Sequence, residues 1–197
     1  MNLPEATSLI RSRRTLKPAD MDSLRPLERP LLEMLLENAT WAPSHGLTEP
    51  WRFVVFQHDA RASLARTLQE VYLAVTPAEE FRQDKLEKMG QTPLLAPVVL
   101  AVNMIRRGGA KIPELEEIEA VACAVQNLML SATAAGLGSF WSSPPLLGSN
   151  PWKTYLGLNV EDRSLGLIYL GWPKVGKPAP TSSRRPLSHC VEWRSES

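Results

Sequence analysis

The sequence predicts a single domain that mixes helices and strands, of the α+β (mixed α/β) class. Helical and strand-like patterns alternate from about residue 5 to residue 170, and no repeat, low-complexity segment or linker interrupts them. Hydrophobic residues make up 44% of the chain and charged residues 22%, the proportions of an ordinary globular domain with a buried core. From about residue 172 the chain is rich in proline, serine and basic residues, so we expect an extension that stays loose or lies across a neighbouring surface.

Apolar residues at intervals of three and four positions mark the helical segments. A leucine stripe indicates a helix over residues 28–40, and a longer stripe runs over Ile118–Ala132. Asp59 is expected to cap the start of another helix. The polar stretch 79–88 is expected to form a mobile helix or a lid. In chain order the predicted helices cover residues 5–13, 28–40, a segment after Asp59, 79–88 and 115–135.

Strands are predicted where β-branched and aromatic residues cluster. The run Pro97–Val102 is apolar throughout, which is typical of a strand that is buried on both faces of its sheet. In chain order the predicted strands cover residues 52–56, 97–102, 139–141 and 165–170.

Charge and cysteine content exclude several classes of function. A net charge of +1 gives no reason to expect nucleic acid as a partner. Residues 120–152 carry no charge, but Gln126 and Asn127 interrupt them, so we interpret this stretch as the core of a protein or dimer and expect no membrane insertion. The two cysteines, Cys123 and Cys190, are far apart, and no signal peptide is evident. We therefore expect a cytoplasmic protein with reduced thiols and no metal site.

Two short basic runs are candidates for binding a phosphate. Arg13 and Arg14 precede Thr15 near the start of the chain, and Arg184 and Arg185 follow two serines near its end. A guanidinium group donates parallel hydrogen bonds to anionic oxygens, and neighbouring hydroxyls suit a phosphate monoester. On spacing alone, solvated surface is the simpler interpretation. Neither a Gly-x-Gly-x-x-Gly motif nor a P-loop is present to hold a phosphate instead.

Two further segments have a composition that suits the lining of a binding site for a flat ligand. The stretch Trp41–Phe53 combines two tryptophans, His45 and two prolines between a predicted helix and a predicted strand. The stretch Gly136–Ser143 places glycines, which allow a planar ligand close to the backbone, before Trp141. The structural alternatives are a packed connecting loop with a structural histidine, and a glycine cap at a helix end.

Five segments, in order along nearly the whole chain, resemble the nitroreductase family, in particular its small YdjA-type branch. They correspond to the family's Arg-Arg-Ser opening, its Ala-Pro-Ser-His-Gly loop, its central helix followed by Gly-Leu-Gly-x-x-Trp, its Leu-Gly-x-Pro strand end and its C-terminal Arg-Arg-Pro-Leu. The segments are Ile10–Thr15, Trp41–Phe53, Ala124–Trp141, Tyr169–Pro173 and Ser183–Leu187. The resemblance implies a nitroreductase-like fold over residues 1–197, with a central, mixed but mainly antiparallel sheet flanked by helices. It also implies an intertwined homodimer in which the extension, about 172–197, crosses the partner.

The resemblance further implies FMN at the dimer interface. Flavin N5 carries the hydride, so no protein side chain is expected to be catalytic, with His45 as a candidate for tuning the flavin. The residues that the resemblance assigns to FMN are Arg13, Arg14, Thr15, Trp41, His45, Trp141, Ser142, Ser143, Arg184 and Arg185. The residues that the resemblance places facing NAD(P) are Ser131, Ala132, Thr133, Ala134, Ala135 and Gly136.

The expected activity is hydride transfer from NADH or NADPH through FMN to a small organic acceptor, such as a nitroaromatic or a quinone, in a ping-pong cycle. Leu47 and Glu49 stand where the family often has Asn and Gln. A leucine cannot donate a hydrogen bond to a flavin carbonyl, and a carboxylate disfavours an anionic reduced flavin. The alternatives are an FMN carrier or regulator without NAD(P)H turnover, a specialised flavin enzyme for dehalogenation or ring modification, and a cofactor-free interaction domain.

Overall fold

The computed structural model describes residues 2–107, 109, 111–177 and 180–194. Four strands form one sheet, and each neighbouring pair is antiparallel. The strand order is β1-β2-β4-β3, with β1 at Trp51–Gln57, β2 at Val98–Met104, β3 at Gly138–Ser142 and β4 at Arg163–Gly171. The predicted mixture of helices with a mainly antiparallel sheet is confirmed.

The described residues form six α-helices, which pack on the sheet or on one another. They are α1 at Leu3–Ser12, α2 at Arg29–Thr40, α3 at Ala60–Val75, α4 at Gln83–Gln91, α5 at Glu114–Ala134 and α6 at Asn150–Leu156. Asp59 occupies the cap position of α3, but its side chain makes no capping hydrogen bond. The polar stretch expected over 79–88 is a short 3-10 turn at Ala78–Glu80 followed by α4.

The helices pack as two layers, one on each face of the sheet. Val98, Leu100 and Val102 of β2 pack with α2 and α5, whereas Val99 and Ala101 pack with α3 and α6. Every residue of β2 is therefore buried, as its continuous apolar run predicts. The sheet therefore separates the two helix layers. Within a single chain, a side chain on one face of the sheet cannot contact a ligand on the other face.

Helix α5 buries one long side and exposes the other. Glu117 is buried in its first turns, where it pairs with Arg106 and accepts a hydrogen bond from the Arg107 backbone N–H at 3.0 Å. This network ties the segment after β2 to the helix. None of the helices in the described ranges combines the length and the apolar composition that crossing a membrane requires.

Within its described residues, the C-terminal extension bonds to the rest of the chain near its start. The Asp22 N–H donates to the Trp172 carbonyl at 2.8 Å, and the Lys174 N–H donates to the Asp20 carbonyl at 2.9 Å. The Lys177 ammonium lies 2.8 Å from the Asp20 carboxylate, and this contact lowers the carboxyl pKa. Residues 180–194 are almost entirely exposed, and 178–179 and 195–197 of the predicted extension lie outside the described residues.

Helix α6 was not predicted, because seven residues are too few to show a helical period. Its anchor is Trp152, which is 0% exposed and is among the largest fully buried side chains. The indole Nε1–H donates to the Ser164 hydroxyl at 2.9 Å, which ties α6 to β4.

Replacing this anchor is expected to destabilise the fold strongly. Trp152→Ala should lower the free energy of unfolding by about 3–5 kcal/mol, because it removes an aromatic side chain from a closed core and leaves a cavity. Denaturant titration measures this change. Trp193→Ala is the matched control, because Trp193 is exposed and its loss should change stability by less than about 0.5 kcal/mol. Equal effects of the two substitutions would show that Trp152 does not anchor α6.

Candidate functional site

The backbone between α1 and the next turn runs beside β3. Thr15 forms a parallel bridge with Ser139, and the Leu16 N–H donates to the Ser139 carbonyl at 3.0 Å. Arg13 and Lys17 have extended backbone conformations. The N-terminal basic run is thus laid out as an extended segment along the edge strand of the sheet.

Arg14 lines a small cavity at the start of this segment, of about 180 Å³, which we call the Arg14 cavity. Thr133, at the end of α5, and Lys177, at the start of the extension, line the same cavity. The Arg14 guanidinium donates to the carbonyl of Arg13 at 2.8 Å and to that of Arg11. Its Nε–H is buried and has no partner in the described part of the chain. A buried donor without a partner is costly, so this N–H is available to an acceptor that enters the cavity.

The two arginines near the C-terminus lie elsewhere in the single chain. Arg184 and Arg185 are exposed, and Arg184 donates only to its neighbours, the Ser182 hydroxyl and the Ser183 carbonyl. Within the described ranges no hydrogen bond or ion pair joins them to Arg13 or Arg14. The beginning of the extension therefore reaches the Arg14 cavity, whereas Arg184 and Arg185 do not line it.

A larger cavity, of about 510 Å³, opens at the other end of the same segment; we call it the Lys17 cavity. Its walls are mainly apolar and include Phe140 and Tyr169, whose rings lie 5.9 Å apart. Lys17, Lys88 and the predicted residue Ser142 also line it. No carboxylate of the described residues is among its lining groups, although Asp84 lies 3.7 Å from the Lys88 ammonium. The cavity suits a flat apolar group that carries negative charge at one edge.

Tyr169 contributes an uncharged polar group to this cavity. Burial raises the pKa of its phenol well above the ordinary value. The side chain therefore stays protonated at neutral pH and can donate a hydrogen bond.

Sequence reasoning missed Lys17 and Lys88. Lys17 had a signal, since it continues the basic run that begins at Arg11, three positions beyond Arg14. Lys88 had none, because it lies on the polar helix α4, which by pattern resembles any solvated surface helix.

Trp41 and His45 lie on the opposite side of the sheet. His45 Nδ1 is 2.5 Å from the Glu116 carboxylate on α5, in a depression shared with Cys123. Trp41 is 80% exposed and borders a hollow between α1, α2 and α5. Because α5 and α3 cover different faces of the sheet, one chain does not bring these two residues to the Lys17 cavity.

The remaining predicted residues are spread over several environments. The Trp141 indole donates to the Leu165 carbonyl at 3.0 Å, and Ser143 is exposed. At the end of α5, the Ser131 hydroxyl accepts from the Asn38 amide at 3.1 Å. Ala132 is buried, Ala135 is half-buried, and Ala134 and Gly136 are exposed. The stretch 131–136 is therefore not one continuous surface in the single chain.

The loop that carries His45 has an unusual backbone. Leu47 and Glu49 have φ angles of 53° and 43°, in the left-handed region that side chains with a Cβ disfavour. Leu47 is also 84% exposed, so packing does not compensate for the strain. The Asn that the family often has at the position of Leu47 tolerates this conformation better than Leu does. Backbone strain of this kind collects at functional sites.

Comparison with known proteins gives a consistent result. A model described as the nitroreductase family matches residues 10–172. The Escherichia coli (strain K12) protein named "Putative NAD(P)H nitroreductase YdjA" is 26% identical over 144 residues, which are 73% of this chain and 76% of that protein. A nitroreductase-like family protein from Bacillus cereus superposes with a TM-score of 0.79 at 25% identity and covers 95% of both chains. A nitroreductase with bound FMN from Bacteroides fragilis superposes with a TM-score of 0.71 at 20% identity, covering 99% of this chain and 100% of that chain.

Relieving the loop strain is expected to stabilise the protein. Leu47→Gly should raise the free energy of unfolding by about 0.5–1 kcal/mol, because the left-handed conformation costs a leucine more than glycine loses in chain entropy. Leu24→Gly is the control, since Leu24 is equally exposed but has an ordinary φ, and this change should destabilise the protein by about 0.5–1 kcal/mol. Urea unfolding measures whether each substitution raises or lowers the free energy of unfolding. If Leu47→Gly destabilised the protein as Leu24→Gly does, the loop would not be strained at Leu47.

Proposed function

The chain belongs to the nitroreductase family, and on that basis we propose that it is an FMN-dependent oxidoreductase that passes hydride from NADH or NADPH to a small organic acceptor. The observation that carries the proposal is the layout of residues 14–17. Arg14 lines a cationic cavity at one end of this extended segment, and Lys17 lines an apolar, lysine-bearing cavity at the other. Three residues of extended chain span about 10 Å, which suits the distance between the phosphate and the ring of a flavin mononucleotide.

The residues present fit FMN in their chemistry. The buried, unpartnered Nε–H of Arg14 would hold the phosphate, with Arg13 and Thr15 beside it. The Lys177 ammonium, which also pairs with Asp20 at 2.8 Å, would add positive charge to the same cavity. The Lys17 cavity would hold the ring, with Ser142 and the neutral Tyr169 phenol as hydrogen-bonding groups. Lys17 and Lys88 place positive charge where the reduced ring would carry negative charge, a role first considered for His45.

We also propose a homodimer. Met34 and Trp41 are large exposed apolar side chains that border one hollow between α1, α2 and α5. Ile10 and Leu115 are exposed elsewhere on these helices. Exposed apolar groups that adjoin, as Met34 and Trp41 do, favour an interface. Trp41 and His45 lie on the sheet face away from the Lys17 cavity, so a second copy is needed to place them at a flavin. In this arrangement the loop of one copy and the extension beyond residue 177 would complete the site of the other.

When bound, FMN supplies the hydride chemistry, and the protein supplies binding and electrostatics. The apolar walls of the Lys17 cavity would pack against the ring, and the two lysines at its edge would stabilise negative charge. A nitroaromatic or a quinone is the expected acceptor. Reduction of a nitro group to a nitroso group takes two electrons and two protons and releases one water, and one hydride from NAD(P)H supplies both electrons. No nucleophilic side chain is required.

Mixing with NADPH under anaerobic conditions tests the activity. The yellow protein loaded with FMN should lose its visible flavin absorbance within minutes and regain it when a nitroaromatic or a quinone is added. Free FMN with NADPH but without protein is the control and should stay yellow. Protein that binds FMN but keeps its colour with both NADH and NADPH would instead be a carrier or regulator.

Arg14→Met tests the phosphate site. It should weaken FMN binding by about 1.5–3 kcal/mol, the contribution of a hydrogen bond to a charged group, which is about 10- to 150-fold in Kd. Fluorescence titration of the apoprotein measures the affinity. Arg11→Met is the matched control, because Arg11 is an exposed arginine at the end of α1 that lines none of the cavities described above. Unchanged affinity in Arg14→Met would remove Arg14 from the site.

A further inference from the structure

The Tyr169 hydroxyl is a buried polar group that has no hydrogen-bond partner among the described residues. Tyr169 is 3% exposed, and its side chain lines the Lys17 cavity. Other aromatic side chains of the core are paired. The Tyr72 hydroxyl accepts from a backbone N–H, and the indole N–H groups of Trp152 and Trp172 donate to protein oxygens. Because buried polar groups normally have a partner, an unpaired hydroxyl at a cavity wall indicates a ligand that accepts its hydrogen bond.

The neighbouring strands hold the phenol ring in place. Tyr169 lies on β4, opposite Phe140 of β3 on one side and Val99 of β2 on the other. The Tyr169 and Phe140 rings are tilted by 52° with their centroids 5.9 Å apart, and Val99 is fully buried. A ring that is packed between two neighbours on a sheet keeps its direction when a ligand enters. The hydroxyl is therefore a donor that is in position before binding.

This hydroxyl differs from the two lysines of the same cavity in how it acts on a ring. Lys17 and Lys88 are exposed, so water and salt screen their charge. Burial raises the pKa of the Tyr169 phenol, so the group stays an uncharged O–H donor at neutral pH. Its hydrogen bond depends on direct contact, and such a bond strengthens when its acceptor gains negative charge.

We propose that Tyr169 is a redox-tuning residue, which donates a hydrogen bond to the flavin ring in the Lys17 cavity and stabilises the reduced ring more than the oxidised ring. The inference rests on the proposed function. The two electrons of one hydride add negative charge to the oxygens and nitrogens of the ring, and a fixed donor binds these atoms more tightly in that state. Tyr169 thereby raises the midpoint potential of the flavin, which favours its reduction by NAD(P)H and favours strongly electrophilic acceptors over weak ones.

Tyr169→Phe removes the hydroxyl and keeps the ring. It should weaken the binding of reduced FMN about 3- to 10-fold more than that of oxidised FMN, because a hydrogen bond to a charged acceptor is about twice as strong as one to a neutral acceptor. For a two-electron couple this ratio lowers the midpoint potential by about 15–30 mV, since a tenfold ratio corresponds to about 30 mV. Reductive titration of the FMN-loaded protein against a reference dye measures the potential, and fluorescence titration of the apoprotein measures the affinity for oxidised FMN.

Tyr155→Phe is the matched control, because Tyr155 is 38% exposed and lines neither the Lys17 cavity nor the Arg14 cavity. It should leave the midpoint potential unchanged. Thermal unfolding of the apoprotein gives a readout without flavin. Tyr169→Phe should not lower the melting temperature of the apoprotein, since the hydroxyl has no partner to lose among the described residues. A less stable apoprotein with an unchanged midpoint potential would show that Tyr169 acts on the fold alone, and would overturn the inference.

Salt separates the hydroxyl from the lysines. Lys17→Met should also lower the midpoint potential, but this effect should shrink between about 0.01 M and about 1 M salt, as the Debye length falls from about 30 Å to about 3 Å. The effect of Tyr169→Phe should persist over the same range. If it disappeared at high salt, the potential would depend on screened charges and Tyr169 would not be a direct donor.

A stronger donor should change the midpoint potential in the opposite direction. The chain has three tyrosines, so biosynthetic replacement of tyrosine by the more acidic 3-fluorotyrosine alters few sites. It should raise the potential of the wild type and leave that of Tyr169→Phe unchanged. A rise in both proteins, or in neither, would overturn the inference and leave the oxidoreductase function intact. Failure of the wild type to bind FMN, or to bleach with NADPH and NADH, would overturn both.

Discussion

A short backbone contact determines where chemistry can occur in this protein. The bridge between Thr15 and Ser139, with the hydrogen bond from Leu16 to the same residue, fixes the N-terminal basic segment along the edge strand β3. Because the segment is extended, Arg14 and Lys17 face two different cavities. Without this contact the basic run would be an ordinary solvated terminus. With it, a cationic cavity and an apolar cavity lie at a fixed separation.

The sheet imposes the second constraint. β2 is buried on both faces, so α2 and α5 cover one side and α3 and α6 cover the other. Residues that the family pattern assigns to one flavin consequently lie on opposite sides of a layer that side chains cannot cross. His45 bonds to Glu116 on one side, and Ser142 lines a cavity on the other. This division is the physical reason to propose a site built from two copies of the chain.

The charged side chains near the Lys17 cavity can be grouped by the cavity that each of them borders. Lys17 and Lys88 are exposed side chains that border the apolar walls of the Lys17 cavity, so they place positive charge at its edge. Glu80 and Lys85 are exposed and border a neighbouring cavity, on a segment whose backbone docks on α3. The two lysines of the Lys17 cavity suit negative charge on a ring that occupies it.

The sequence by itself determined those elements in which the spacing of apolar residues within one segment shows which of its residues are buried. The apolar run of β2 and the long stripe of α5 specify a two-sided strand and a half-buried helix, since each pattern records the burial of its own segment. Motif order likewise indicated the family and pointed to Arg14 and Thr15. Only the tertiary structure decided that α6 forms around Trp152, because a helix of seven residues is stabilised by what it buries and not by its own period. It also decided that Lys88 lines the same cavity as Lys17 and that His45 contacts Glu116, since the neighbours of distant residues depend on the path of the chain and the order of the strands.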